Sequence, residues 1–439
     1  MKILPGISTR SFLSVSLVLA LLLMTSNISF AQAVKVEVVK HDGKYQLLRD
    51  GKPYRVKGAG LANGSLDQLA AHGANSIRTW ATFDGPEGTA KLLDEAHALG
   101  ITVSLCVNVG SERHGFDYYD EDAVTRQLEA IRQEIPKYKD HPALLAWIIG
   151  NELNFDYKNP KVYDAVNDIS RMIHEIDPNH PTTTTIAGFS ENLIDIIDER
   201  APDLDFISFQ VYGQLYNLPG FIKDTKFSAP YFITEWGAIG HWEVPKTSWG
   251  APLEQDSSTK ADTYLRGYQK VIEPLLDQNI GNYVFLWGQK QEKTPTWYGL
   301  FTETGEETEV IDVLHYIWTG DWPQNRSPRI KSMRLNGKPG HKNIKLKAGK
   351  KYRAKLKAQD QDGDSLTYSW QVKKESDAMQ VGGDYEEAIS NLTGLITDPG
   401  LQDIEMIAPG QQGAYRLFVY IYDGHGHAAH ANIPFYVDQ

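Results

Sequence analysis

The chain has 439 residues, a formal net charge of −12 and a single cysteine. The negative charge argues against nucleic acid and anionic membranes as partners and suits a soluble, neutral ligand. Ten tryptophans and 22 tyrosines favour stacking surfaces for sugars or other flat ligands. Cys106 lies in an apolar run and has no second cysteine to pair with, so burial alone must hold the fold together.

Residues 1–33 have the pattern of a signal peptide. Lys2 and Arg10 precede an apolar stretch from Phe12 to Met24, and small residues follow around Ala31 at a cleavage-like spacing. The apolar stretch is too short to span a membrane. We therefore expect a secreted or periplasmic protein without a membrane anchor, in which residues 34–325 and 326–439 form two domains.

Strand and helix signals alternate eight times in the first of these domains. Eight βα units in about 270 residues predict an α/β fold, a closed (β/α)8 TIM barrel. The alternative is an open doubly wound sheet, but Gly58-Ala59-Gly60 lacks the third glycine and the acidic partner of a phosphate-binding turn. Gly73 and Gly100 follow predicted helices where a C-terminal cap is needed, and Asn192 is a predicted N-cap. The predicted strands are Arg55–Ala59, Asn75–Trp80, Thr102–Asn108, Leu144–Asn151, Thr182–Ala187, Asp205–Tyr212, Tyr231–Glu235 and Asn282–Trp287.

After residue 325 the helical pattern is replaced by strict alternation, as in Tyr352–Lys357 and Tyr415–Tyr422. Short strands separated by Asp/Gly turns predict a small all-β, immunoglobulin-like sandwich. Its role is left open between glycan binding and a spacer or packing role, and the second is favoured. Asp360, Asp362 and Asp364 lack the full spacing of a Ca²⁺ loop, so a solvated turn is the preferred interpretation.

Two predicted strands end in a glutamate. The apolar run from Trp147 stops at Asn151 and Glu152, and the run from Tyr231 delivers Glu235. The carboxyl ends of parallel strands meet at one edge of a barrel, where the chemistry of such folds is found. Two carboxylates at one edge are the minimum equipment for cleaving a glycosidic bond.

Other strand ends supply polar and aromatic groups to the same edge. Arg78 and Trp80 follow the second strand, Tyr212 the sixth and Trp287 the eighth. Such groups do not crowd together near a core unless they partner one another. We expect Arg78 and the Tyr212 hydroxyl to keep a carboxylate ionised by charge and hydrogen bond.

The two glutamates then take different roles. Tyr212 lies nearer the seventh strand than the fourth, so we assign Glu235 as the nucleophile and Glu152 as the general acid and base. Asn151 is expected to bind the 2-hydroxyl of the reacting sugar, and Trp287 to form the floor beneath its ring.

This order of residues on the strands resembles the retaining glycosidases of clan A. The resemblance implies retention, with carboxyl groups about 5–5.5 Å apart. A barrel followed by an immunoglobulin-like domain looks most like glycoside hydrolase family 158, whose known activity is endo-β-1,3-glucanase. Many clan members carry a histidine after the third strand, where this chain has Asn108-Val109-Gly110, so that subsite is expected to differ.

The sequence thus predicts a monomeric, retaining endo-β-glucanase that acts on a β-glucan polysaccharide or oligosaccharide, in particular β-1,3-glucan of the laminarin type, without cofactor or metal. The alternatives are a β-1,4-glucanase or mannanase, a β-glucan transglycosylase with the same two glutamates, or a catalytically silent carbohydrate-binding protein. Aromatic residues of the long loops are expected to make stacking platforms for further sugar rings. The predicted substrate contacts are Arg78, Trp80, Asn151, Tyr212, Trp236, Trp242, Trp287 and Trp297.

Overall fold

The computed structural model describes residues 33–83, 88–379 and 382–439. The predicted signal peptide, apart from Ala33, therefore lies outside the described residues. Within these ranges every helix is too short or too polar to span a membrane. Residues Ala33–Gln439 form one compact unit, and the domain boundary between residues 325 and 326 stays a prediction.

The described chain begins with a small antiparallel sheet. Val36 and Leu47 on its inner face pack against Leu145, Phe206 and Phe232, which lie near the N-terminal ends of barrel strands. The sheet therefore covers the end of the barrel opposite the predicted site. Its strands are β1 (Val36–His41), β2 (Lys44–Arg49) and β3 (Lys52–Pro53).

Among the described residues, eight parallel strands close into a barrel. These strands are buried on both faces, as an apolar run such as Leu144–Ile149, with all six residues buried, predicts. The predicted TIM barrel is confirmed, and the open doubly wound sheet is excluded. Around the ring, strands four to eleven of the chain follow one another in sequence order. They are β4 (Gly58–Leu61), β5 (Ser76–Arg78), β6 (Thr102–Val107), β7 (Leu144–Ile149), β8 (Thr182–Ala187), β9 (Phe206–Gln210), β10 (Tyr231–Trp236) and β11 (Asn279–Trp287).

Helices connect the barrel strands. Gly73 and Gly100 follow two of them with φ of +85° and +71°, which is the left-handed conformation expected beyond a helix end. The predicted N-cap Asn192 is wrong. Ser190 is the cap, because its hydroxyl accepts a hydrogen bond from the backbone N–H of Leu193. The helices are α1 (Leu66–Ala71), α2 (Thr89–Ala98), α3 (Glu121–Tyr138), α4 (Lys161–Ile176), α5 (Glu191–Arg200), α6 (Leu218–Thr225), α7 (Ser257–Gly267) and α8 (Glu309–Thr319).

The C-terminal part is all-β, as predicted, and forms a sandwich of two sheets around its own apolar core. One sheet has the order β12-β19-β18-β16, with β14 also paired to β19, and the other has the order β13-β15-β17. The strands are β12 (Glu307–Thr308), β13 (Arg329–Leu335), β14 (Ile344–Lys347), β15 (Lys351–Gln359), β16 (Thr367–Lys374), β17 (Ile404–Ile407), β18 (Gly413–Tyr422) and β19 (His427–Asp438).

Barrel and sandwich are joined through both backbone and side chains. β12 precedes α8 in the chain, yet it pairs with β19 of the sandwich. Glu254 and Lys260 form a buried ion pair, and Asn432 on β19 donates a hydrogen bond to Glu254 at 2.7 Å. The hydrogen bond from Asn432 crosses the interface, whereas Glu254 and Lys260 both belong to the barrel, where Glu254 also accepts hydrogen bonds from Thr294 and Thr296.

Candidate active site

The carboxyl ends of the barrel strands surround a cavity of about 620 Å³, within the range of roughly 300–1,000 Å³ typical of ligand sites. Both predicted catalytic glutamates line it. The wall also includes residues that follow β6, β7, β9 and β11, as a parallel barrel requires. Its lining includes Trp80, Asn108, Arg113, Asn151, Glu152, Tyr212, Glu235, Trp242, Phe285, Lys290, Glu292, Tyr298 and residues 382–384.

Glu235 ends a buried strand and is 5% exposed. Its Oε1 accepts hydrogen bonds from Arg78 Nη1 at 2.8 Å and Trp80 Nε1 at 2.7 Å. Its Oε2 accepts one from the Tyr212 hydroxyl at 2.6 Å. Burial and the Glu235 charge raise the pKa of Tyr212 well above its ordinary value, so the phenol remains a donor. One cation and three donated hydrogen bonds stabilise negative charge on Glu235.

Arg78 also fixes Asn151, the predicted partner of the sugar 2-hydroxyl. The Asn151 Oδ1 accepts hydrogen bonds from Arg78 Nη2 and from Gln210 Nε2, each at 2.8 Å. With the carbonyl oxygen held by these donors, the amide nitrogen is the group that Asn151 offers to a ligand hydroxyl. Gln210 is the last residue of β9 and was not among the predicted contacts.

Glu152 lies where the chain turns out of β7. Gly150 and Glu152 have φ of +71° and +49°, a backbone conformation that is unfavourable for glutamate and typical of functional sites. The Glu152 backbone N–H donates to Thr185 Oγ1 at 3.1 Å, which fixes the turn. Burial, and next the negative charge of Glu235, raise the pKa of the Glu152 carboxyl, although Arg78 and Arg113 oppose this shift. Glu152 is therefore the carboxyl that retains its proton.

The two glutamates thus have opposite surroundings within one cavity. Hydrogen-bond donors and a guanidinium surround Glu235, whereas burial beside another carboxylate favours the protonated form of Glu152. One ionised and one protonated carboxyl are what a retaining glycosidase needs for nucleophilic attack and for protonation of the leaving group.

The predicted floor residue, Trp287, lies elsewhere. Its side chain is fully buried, and its indole N–H donates to the Ser65 carbonyl at 2.9 Å. Phe285 lines the cavity instead, with its ring edge-on to Trp80 and Tyr212 at centroid distances of 5.7 Å. The pairing of β11 with β4 shifts register between Val284 and Trp287, and such an irregularity changes which side chains face inward.

Two more predicted tryptophan contacts are packing residues. Trp236 is buried beside Tyr264, and Trp297 donates its indole N–H to the Ile239 carbonyl at 3.0 Å. Neither lines the cavity. Trp242 does line it and is 53% exposed, the arrangement expected of a stacking platform.

The position of Trp80 depends on Gly60 of β4, which has no side chain to block the indole ring. A Cβ atom at Gly60 would lie 2.7 Å from the Trp80 ring, far inside van der Waals contact. Glycine at this position lets the indole lie against the strand and direct its N–H to Glu235.

A third carboxylate, Glu292, was not predicted. It is 8% exposed and receives ion pairs from Lys290 at 2.9 Å and His241 at 3.3 Å. Burial favours its proton, but the hydrogen bond from His241 and the charge of Lys290 outweigh burial and lower the pKa of Glu292. Glu292 therefore adds a fixed negative charge to the part of the cavity that is lined by the loop after β11.

Among the described residues, one group of carboxylates is close enough to share a metal ion: Asp360, Asp364 and Asp423. It belongs to the C-terminal part and does not line the cavity. Asp360 Oδ1 accepts the backbone N–H groups of Asp362, Gly363 and Asp364 at 2.8–3.0 Å. This pattern is that of an Asp-stabilised turn, the interpretation favoured from the sequence.

The structure predicts opposite effects for two neighbouring aromatic residues. Phe285→Ala should lower kcat/KM by about tenfold or more, since it removes a cavity wall that supports Trp80 and Tyr212. Trp287→Phe should leave KM unchanged but reduce the free energy of unfolding by about 2 kcal/mol, because the hydrogen bond to the Ser65 carbonyl and part of a fully buried ring are lost. Steady-state kinetics and urea unfolding on both variants would separate these effects. A raised KM in Trp287→Phe with unaltered stability would restore the floor assignment.

Part of the barrel is similar to known glycoside hydrolases. Residues 69–241 match the family described as glycosyl hydrolases family 2, TIM barrel domain. The curated "Probable mannan endo-1,4-beta-mannosidase A-2" of Aspergillus terreus (strain NIH 2624 / FGSC A1156) is 22% identical over 194 residues, which are 40% of this chain and 46% of that protein.

Glycosidases are among the solved structures to which this chain is similar. A β-D-glucuronidase structure for Dictyoglomus thermophilum has a TM-score of 0.50 and 18% identity over 66% of this chain and 54% of that one. A glycoside hydrolase family 5 mannosidase from Rhizomucor miehei has a TM-score of 0.48 and 14% identity over 65% of this chain and 96% of that one. This chain spans about half the length of the first of these structures and of the curated relative.

The matched family, the closed parallel barrel and the curated relative support a glycoside hydrolase of clan A with a TIM barrel. The comparisons reported above do not show membership of family 158, so that resemblance stays a prediction, as does the β-1,3-glucanase activity that it implies.

Proposed function

We propose that the protein is an exported, retaining endo-β-glycanase in which Glu235 is the nucleophile and Glu152 the general acid and base. The observation that carries this proposal is the contrast between the two carboxyl groups in one cavity. Glu235 receives hydrogen bonds from Arg78, Trp80 and Tyr212, whereas the pKa of Glu152 is raised.

In the first step a Glu235 oxygen attacks the anomeric carbon while Glu152 gives its proton to the glycosidic oxygen. The bond between that carbon and the leaving oxygen breaks, and a glycosyl ester on Glu235 forms. Loss of the Glu235 charge then lowers the pKa of Glu152, which now removes a proton from water. The resulting attack on the anomeric carbon releases Glu235 and a product of unchanged configuration.

The charges in the cavity favour a neutral sugar. Arg113 is paired with Asp384 at 2.9 Å, and Lys290 with Glu292 at 2.9 Å. A uronic acid would have to compete with these carboxylates for the cations, and it would also approach the negative charge of Glu235. We therefore infer that the substrate carries no carboxylate.

Two polysaccharides are candidate substrates, and they differ in the linkage that the enzyme would cleave. The name of the Aspergillus relative, a probable mannan endo-1,4-β-mannosidase, supports the alternative of β-1,4-mannan, and we give it precedence. The resemblance to family 158 supports β-1,3-glucan. The same two glutamates would serve either linkage, as well as transfer of the glycosyl group to another sugar.

A polysaccharide panel with product sizing tests the proposal. Purified protein is incubated with β-1,4-mannan, β-1,3-glucan of the laminarin type, β-1,4-glucan and an aryl β-glucuronide. We expect oligosaccharide products from one neutral polysaccharide, with retained anomeric configuration by NMR, and no release from the glucuronide. Inverted products would contradict the double displacement. No release from any substrate would favour the carbohydrate-binding alternative.

A further inference from the structure

One side of the cavity is built by the C-terminal part of the chain. The connection between β16 and β17 reaches the barrel, and Gly382, Gly383 and Asp384 line the cavity together with Glu152. We call residues 382–386 of this connection the C-terminal wall. Since the sandwich has its own core, packing within the sandwich does not require this contact.

The C-terminal wall is anchored to two barrel loops. Arg113, after β6, donates from one nitrogen to both carboxylate oxygens of Asp384 at 3.0 and 2.9 Å, and from another to the Gly382 carbonyl at 3.3 Å. Lys290, after β11, donates to the Gly383 carbonyl at 2.7 Å.

A second acid anchors the far end of the C-terminal wall. Glu386 is 8% exposed. It accepts a hydrogen bond from Gln291 Nε2 at 3.0 Å and one from the backbone N–H of Lys293 at 2.8 Å. Side-chain and backbone contacts thus hold the connection against the barrel loops that follow β6 and β11.

The Arg113 guanidinium is the link between this wall and the chemistry. It lies over the Phe155 ring, 5.4 Å from the centroid, and is close enough to Glu152 to act on its charge. Asp384 holds the guanidinium in that place and neutralises it. Because the general acid faces the leaving-group oxygen, the part of the cavity beside Glu152 is where the departing sugar lies.

We propose that the C-terminal wall forms the binding site for the leaving-group sugar and that Asp384 is a positioning residue that acts through Arg113. The inference rests on the proposed glycosidase function and deepens it. It gives the C-terminal part a role in substrate choice: hydroxyl groups of a neutral sugar meet Arg113 and the wall backbone, whereas a small aryl leaving group does not need them.

The test compares Asp384→Asn with Glu387→Gln in the full-length chain. Each variant removes one negative charge and keeps the side-chain shape, but Glu387 is exposed and does not line the cavity. Two substrates are used for each: an oligosaccharide of the type identified by the panel, and the 4-nitrophenyl glycoside of the same non-reducing part. Thermal unfolding of each variant reports whether it is folded.

We expect Asp384→Asn to lower kcat/KM for the oligosaccharide about tenfold, mainly through KM, because the charge-assisted anchor is lost. Turnover of the aryl glycoside should change by less than about twofold, since that substrate has no leaving-group sugar. Glu387→Gln should match the wild type on both, and Asp384→Glu should recover most of the oligosaccharide activity.

The pH profile supplies a readout that loss of packing would not change. Without the Asp384 carboxylate, the Arg113 charge acts more strongly on Glu152, so the alkaline limb of the aryl-glycoside profile should move down by about half a pH unit.

If Asp384→Asn lost equal activity on both substrates, or lost none on the oligosaccharide, the inference would be overturned. The proposed function would still stand in either case, provided that the wild-type enzyme hydrolyses its substrate with retention. A wild type inactive on both substrates would overturn the proposed function and this inference with it.

Discussion

Glu235→Ala should reduce turnover by on the order of 10⁶-fold, the loss typical of removing a covalent nucleophile. No other described carboxylate has the same set of three donors, from Arg78, Trp80 and Tyr212. Glu152 cannot take over, because its raised pKa keeps it protonated. The measurement is kcat on an aryl glycoside, which needs little acid assistance and so isolates the nucleophilic step.

The alanine variant also leaves the fully buried Arg78 guanidinium without its carboxylate partner. Breaking a buried ion pair in this way typically costs about 3–5 kcal/mol of stability. Glu235→Gln retains the side-chain volume and an oxygen acceptor, so it should fold better and remain equally inactive. Azide, replacing the missing carboxylate in Glu235→Ala, should restore turnover and give a glycosyl azide of inverted configuration. A Glu235→Gln variant that is folded and still active would end the assignment.

The strand-end residues are the part of the site that could be predicted from the sequence. An apolar run that stops at a polar residue identifies a buried strand and its carboxyl end, and a parallel barrel gathers those ends at one edge. That reasoning placed Glu152, Glu235 and Tyr212 at one cavity, where the structure has them, and it placed Arg78 beside them, where the fully buried guanidinium donates to Glu235 without lining the cavity. It needed no knowledge of the loops.

The strand-end reasoning failed where the strand is irregular. The sequence does not reveal the register shift of β11 between Val284 and Trp287, so the prediction put the aromatic residue that ends the strand in the cavity, whereas Phe285 lines it. The preference for tryptophan as a sugar platform was sound as chemistry. It was applied to a residue whose indole is used to hold the Ser65 carbonyl.

The loop residues were beyond sequence reasoning for a different reason. Glu292 and Asp384 lie outside regular strands and helices, so no period relates them to the site. Asp384 is also 271 positions from its partner Arg113, and the contact depends on how the sandwich packs on the barrel. A strongly polar stretch between two strands was the only signal, and a solvated loop explains such a stretch equally well.

Glu152→Ala should have a large but substrate-dependent effect. Hydrolysis of polysaccharide, whose leaving oxygen needs a proton, should fall by about 10²–10⁴-fold. An aryl glycoside with a good leaving group should still form the ester on Glu235, and the slow second step should then produce a burst of aryl alcohol. Azide attacks that ester without base assistance, so it should accelerate turnover and give a glycosyl azide of retained configuration. If Glu235→Ala showed this pattern instead, the roles of the two residues would have to be exchanged.

The pH dependence follows from the same environment. Glu152 must be protonated for the first step, so activity is present below its pKa in the free enzyme and is lost as the pH rises through it. Because burial and the Glu235 charge raise the pKa of Glu152, the alkaline limb of wild-type kcat/KM should lie well above the ordinary carboxyl range, near neutral pH or higher. In Glu152→Gln, assayed with an activated aryl glycoside, this limb should disappear. A limb that persists unchanged would assign the titration to another group and remove the main support for Glu152 as the proton donor.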